Sequence, residues 1–451
     1  MSKIFLQKFF KISVLLYILA ASNTAFALAN PTILSERKYG KDLFLEDQYL
    51  PIVAVKLGFA RTGFAYDPDN LPGLANYVVA MLGEGAGPYD AKSLQEKMES
   101  QAIVINGEAT ADEVVFTIQT TRPKISEALR LLALIITNPR LEKKTQERIS
   151  AQINIEQKAA AKDPEFLALQ TLKKRSWGAH PYTRDALGNM ESRNKITPEI
   201  IKKFLQQNFT KNRLSSAVVG GISAAEWQAE WNVFLENIPA GQEPAPEITS
   251  PIWQAKGGIE SISLPVSQAV VAFAIPAPKR IDEKFYTAFI LNHILGGGDL
   301  NSRLMQALRE ERGLVYSAQT GIELYQQGVF CFGFAGTKTG KEHEVVEQIK
   351  QIWQTLKTEE ISAADLAHAK NYLTGSLANK LTRNRDIAAL IYPIARQQAP
   401  LEFLNIRNQM ISKVDKISLR NYIKSLPNLE DLPIVIVGSK TIDFRPSQTM
   451  K

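Results

Sequence analysis

The 451-residue sequence carries one cysteine and four histidines. A single cysteine, Cys331, excludes an internal disulfide framework and a cysteine-rich metal site. It lies in the apolar run Val329-Phe330-Cys331-Phe332-Gly333-Phe334 and reads as a buried structural thiol. His180, His293, His343 and His368 are scattered over the chain with no short paired spacing. His180 precedes a proline and reads as loop, while His293 sits in a mostly apolar helical stretch and reads as a core or helix-end residue. A Gly-x-Ser-x-Gly elbow is missing, and so is a phosphate loop ending in Gly-Lys-Ser/Thr. Gly296, Gly297 and Gly298 follow a helix rather than a strand, which does not fit a dinucleotide fold. No dense Lys/Arg stripe interleaved with aromatics occurs, so no nucleic-acid surface is expected. Beyond residue 27 there is no long uncharged apolar run.

What is present begins with an export leader. Lys3, Lys8 and Lys11 make a positive start, Ile12 to Ala21 form an apolar core, and Ala25-Phe26-Ala27 offers a small–x–small cleavage pattern. Residues 1–27 are therefore read as a signal peptide cleaved after Ala27. The expected product is soluble, has no stable membrane anchor, and resides in a bacterial periplasm. The formal net charge of +7 falls to +4 once the leader's three lysines are removed, a mild balance. With 45% hydrophobic residues the chain can fill more than one core.

Residues 239–256 hold Pro239, Pro244, Pro246 and Pro251 with little periodicity and read as a linker between residues 28–238 and 257–451. Each flank mixes strands and helices. Strands are expected at 51–60, 113–120 and 215–220 in the first half, and at 268–275, 315–322, 328–336 and 432–437 in the second. Helices are expected at 124–137, 142–160, 164–176 and 197–208, then at 282–295, 301–312, 340–357 and 362–384. Leu82-Gly83-Glu84-Gly85 precedes a helix through Leu94 and Met98, and Leu295-Gly296-Gly297-Gly298 precedes one through Leu304 and Leu308. This recurrence predicts an internal duplication of α+β domains.

Several blocks carry a family resemblance. Gly73-Leu74-Ala75-Asn76-Tyr77-Val78-Val79-Ala80-Met81-Leu82 resembles the active-site helix of the pitrilysin/insulinase family of zinc metallopeptidases, which usually reads Gly-Leu-Ala-His-x-x-Glu-His-Met-Leu. Arg61-Thr62-Gly63, Leu71-Pro72-Gly73, Asp163-Pro164, His180-Pro181-Tyr182 and Gly188 fit the same pattern. So do the blocks from Leu295 to Ser317 and from Ala369 to Leu377. The resemblance implies two homologous α/β-sandwich domains, each a mixed, mostly antiparallel sheet with helices packed on it.

In that motif two histidines four residues apart share a helix face and bind zinc, and the glutamate between them activates the metal-bound water. Here those positions are Asn76, Val79 and Ala80, and the first is a poor ligand while the others offer no lone pair. Glu156 falls about where the family's third ligand lies, a remnant that cannot hold zinc alone. The chain is expected to bind no metal and to cleave no peptide by itself.

The second half keeps the family's other working part. Arg309 and Tyr316 match the Arg/Tyr pair that, by resemblance, grips the substrate backbone and supports the oxyanion, with Gly296, Gly297 and Gly298 beside it. A guanidinium makes directed bonds to carbonyls, and a phenol donates to a tetrahedral oxygen. The resemblance thus implies a non-catalytic subunit that completes a peptide chamber with a zinc-bearing homologue. A structural or peptide-binding scaffold, and a homodimer of unrelated function, are the competing readings.

Overall fold

Apolar strand residues build two large sheets in a computed structural model, which describes residues 30–241, 246–379 and 381–438. The leader lies outside the described residues. The first sheet contains β1 (Thr32–Arg37), β2 (Gly40–Glu46), β3 (Ile52–Ala60), β4 (Val104–Ala109), β5 (Glu113–Thr121) and β6 (Leu214–Gly220). Their order is β1-β2-β6-β3-β5-β4. The second contains β7 (Ile259–Ser263), β8 (Gln268–Pro276), β9 (Val315–Leu324), β10 (Val329–Lys338) and β11 (Ile434–Gly438), in the order β9-β10-β8-β11-β7. The plans match: a hairpin (β4/β5 or β9/β10) flanks the central strand β3 or β8, and β6 or β11 follows on its other side. β2 and β7 then pair parallel with β6 and β11, while the remaining pairs are antiparallel. The duplication read from the sequence is thus visible as topology.

Helices α1 (Leu74–Leu82), α2 (Ala91–Glu99), α3 (Ile125–Thr137), α4 (Lys143–Ala160), α5 (Pro164–Trp177), α6 (Pro198–Asn208) and α7 (Ala224–Glu236) belong to the first half. The second holds α8 (Phe285–Asn292), α9 (Glu342–Thr358), α10 (Ala363–Asn379) and α11 (Asn384–Ala395), besides shorter turns and C-terminal helices. Strand periodicity of two explains the layers. Val53, Val55, Leu57 and Phe59 of β3 face a core with Val78, Met81, Leu131 and Trp231. The next residue in register, Ala54, points the other way, with Ala217 and Val219 of β6, onto Ile387, Ile391 and Ile394 of α11. In the second sheet Val271, Phe273 and Ile275 face Ile290, Val345 and Trp353. Val270, Ala272 and Ala274 instead meet Ala168, Leu172 and Trp177 of α5.

Each half therefore lends one helix to the far face of the other half's sheet. Small residues on that face let the borrowed helix approach closely. Each buried Ile or Leu there contributes roughly 1.5–3 kcal/mol, so lifting either helix away would be costly. The seam is also polar. Arg396, at the end of α11, lies 2.7 Å from Glu113, and Tyr392 Oη donates to the same carboxylate at 2.9 Å. Asp112 accepts from Tyr182 Oη at 2.6 Å and from the Gln326 backbone at 2.8 Å. Lys173 and Glu323 pair at 2.6 Å.

Two expected helices differ from the sequence reading. The stretch 301–312 holds only one α-turn, Arg303–Met305, before a π-turn at Gln306–Glu310, and Gly313 (φ 59°) closes it. The helix expected at 362–384 closes earlier, as α10 at Asn379, and the borrowed α11 starts at Asn384 in a new direction that takes it onto the other sheet.

Candidate functional site

The helix that resembles a zinc-binding element, α1, is held by its N-terminus. Asp67 accepts from the backbone of Gly73 at 2.8 Å and Ala75 at 2.9 Å. Burial lifts its carboxyl to about 7, against the pull of those amides and Arg184. Leu74, Ala75, Val78, Met81 and Leu82 point into the core, which leaves Asn76, Val79 and Ala80 partly exposed on one face. Asn76 Nδ2 donates to the Ala186 carbonyl at 3.0 Å, so its amide is spent on a loop. Val79 lies against Gly107 of the edge strand β4. Glu156, on α4, is exposed and accepts from Gln152 one turn away.

These residues do not fit zinc. An amide with its nitrogen on a carbonyl, a valine and an alanine cannot supply the two imidazoles the geometry demands. Among the described residues no group of three or more His, Cys, Asp or Glu side chains could hold a metal ion. His343 and His368 are exposed on separate helices, and His180 Nε2 lies 3.0 Å from the Thr249 carbonyl.

The Arg/Tyr region is built differently. Arg309 projects from the π-turn Gln306–Glu310, and Tyr316 sits where the β9–β10 register slips between Val315 and Ser317. A bulge of this kind re-aims a side chain, and π-turns recur at functional sites. β9 is an edge strand, and no strand among the described residues pairs beyond it. Arg309 is exposed and Tyr316 is 57% exposed, and neither side chain has a hydrogen-bond or ion-pair partner among the described residues. The neighbouring arginines are engaged: Arg312 pairs with Glu311 at 2.9 Å and Arg303 with Asp365 at 3.7 Å. That contrast singles out Arg309, which sequence spacing alone left close to Arg312.

The glycine turn supports the same surface. α8 runs into a second π-turn, His293–Gly297, which packs against β9. A Cβ on Gly296 would come within 2.6 Å of the Thr320 backbone nitrogen, so only glycine lets the turn press on that strand. Gly297 is exposed and Gly298 half-buried. Neither the bulge nor the π-turns were legible beforehand, because both arise from packing across elements rather than from local periodicity.

Residues 44–189 match the family described as insulinase (peptidase family M16), and residues 195–373 match the peptidase M16 inactive domain. A Helicobacter pylori protein called non-peptidase homolog YmxG is 25% identical over 408 residues, covering 89% of this chain and 92% of its own. The uncharacterized zinc protease YmxG of Bacillus subtilis is 20% identical over 342 residues, covering 72% and 80%. A crystal structure of a peptidase M16 inactive domain from Pseudomonas fluorescens superposes with a TM-score of 0.84 at 25% identity, covering 92% of this chain and 99% of that one.

Proposed function

Because the chain belongs to the insulinase, or M16, family of peptidases, we propose that it is the non-catalytic partner of a zinc-bearing homologue, supplying Arg309 and Tyr316 to a shared peptide chamber. The observation that carries this reading is the contrast between the two sites. The metal helix has lost its ligands, while Arg309 and Tyr316 stand exposed and unpaired at a bulged edge strand.

In the assembled chamber Arg309 donates to backbone carbonyls of an extended peptide, which fixes it for attack. Tyr316 Oη donates to the oxygen that gains charge in the tetrahedral intermediate. The glycine turn Gly296-Gly297-Gly298 lets the peptide backbone approach. Zinc belongs to the partner subunit. The leader, residues 1–27, directs the chain to the periplasm, where unfolded or short peptides are the substrate class.

Co-expression with a homologue that retains His-x-x-Glu-His is the test. The pair should copurify and cleave peptide; Tyr316→Phe should lower kcat about 10²-fold, the effect of removing one oxyanion donor, and Arg309→Ala should lower kcat/KM by weakening the hold on the peptide. Unchanged activity in both variants favours a structural or peptide-binding scaffold. Purified alone, the chain should cleave nothing and carry no stoichiometric zinc; metal near one per chain would sink the reading.

A further inference from the structure

Gripping a peptide backbone confers no preference among side chains, yet two exposed apolar side chains, Tyr372 and Leu300, lie on elements tied to those that carry Arg309 and Tyr316. Tyr372 on α10 stacks its ring on His293 with centroids 4.7 Å apart and planes 23° from parallel. His293 is buried and opens the π-turn of the glycine loop, but Tyr372 remains 47% exposed. Leu300, just past that loop, is 53% exposed.

These positions are tied together. The Leu300 carbonyl accepts from Gln306 Nε2 at 2.7 Å, and Gln306 is the first residue of the turn that carries Arg309. Thr320 of β9 donates to the Asn292 carbonyl at 2.9 Å, which joins the Tyr316 strand to the start of the glycine turn. The Arg303–Asp365 pair links the Arg309 segment to α10. Arg309, Tyr316, Leu300 and Tyr372 are therefore carried on four elements that these contacts join around one glycine turn.

A tyrosine pinned by stacking on one face is pre-organised to receive an apolar group, since little rotamer freedom remains to be lost. Main-chain contacts supply affinity in extended-peptide recognition, and side-chain pockets supply selectivity. We propose that Tyr372 and Leu300 form a side-chain subsite for an aromatic or branched aliphatic residue of the peptide held by Arg309 and Tyr316. Tyr372 is its specificity-determining residue. The proposal rests on the partner-subunit reading above.

Two fluorescein-labelled nine-residue peptides, identical except for a central Phe or Ala, test it by anisotropy with the full heterodimer and with the isolated chain. The wild-type protein should bind the Phe peptide about 10-fold more tightly, in line with the selectivity of a small apolar contact. Tyr372→Ala should abolish that ratio by weakening only the Phe peptide, and Tyr372→Phe should keep it. Arg309→Ala should weaken both peptides alike and leave the ratio intact. Absence of a preference in the wild type, or an equal loss of both peptides in Tyr372→Ala, overturns the subsite. An Arg309→Ala variant that binds and cleaves both peptides normally, with the Phe preference present, overturns instead the partner-site reading on which the subsite was placed.

Discussion

A buried carboxylate at the start of α1 couples that helix to pH. Asp67 holds the backbone amides of Gly73 and Ala75, yet burial raises it from the usual 3.8 to about 7. Below pH 4 both folded and unfolded chains carry this proton. Between pH 4 and 7 the unfolded chain releases it while the folded chain keeps it, so stability falls as pH rises through that window. Full ionisation costs on the order of 4 kcal/mol by this linkage. Asp67→Asn keeps one acceptor for the helix N-terminus and cannot ionise. Urea melts at pH 4.5 and 7.5 should show a smaller loss on raising the pH in Asp67→Asn than in the wild type. Parallel losses in the two proteins would assign the slope to other groups.

Strand β10 offers a chemical probe at the next scale. Cys331, the only cysteine, is buried on that strand, and burial pushes its thiol up to about 12. Thiolate is the reactive form, so the native protein should not react with an aromatic disulfide reagent at pH 8, and one thiol per chain should appear after denaturation. Rapid labelling of the native protein would mean that β10 opens locally. Elements like this one were legible in sequence because β10 and β8 are long apolar runs and β5 is rich in β-branched and aromatic residues. β4 was not legible: Val104-Ile105-Asn106-Gly107-Glu108-Ala109 is a largely exposed edge with no alternation to read. The borrowed helix α11 escaped for a different reason, since periodicity shows an apolar face but not whose sheet it covers. At the candidate site Arg309 and Tyr316 are proposed through family resemblance alone. Their presentation by a π-turn and a bulge was not legible, because both follow from packing between β9, β10 and the glycine turn.

At the scale of the whole molecule, the exchanged helices make the two halves energetically inseparable. Either half alone would expose one face of its sheet, with Ala54, Ala217 and Val219 in the first and Val270, Ala272 and Ala274 in the second. The linker alone therefore does not define how the halves unfold. The ion pair between Glu113 and Arg396 sits at this seam with the Tyr392 hydroxyl on the same carboxylate. Arg396→Ala would leave Glu113 buried without its cation, which costs about 3–5 kcal/mol in comparable buried pairs. Because the pair bridges the first sheet and a helix from the second half, that loss should fall on both halves together. Native-state hydrogen exchange read by mass spectrometry can follow β3 and β8 separately. In the wild type both strands should lose protection at one denaturant concentration, and in Arg396→Ala both should shift to a lower one. Loss of protection in β3 alone would show that α11 detaches without the second sheet, and the halves would then be independent units joined by a strap.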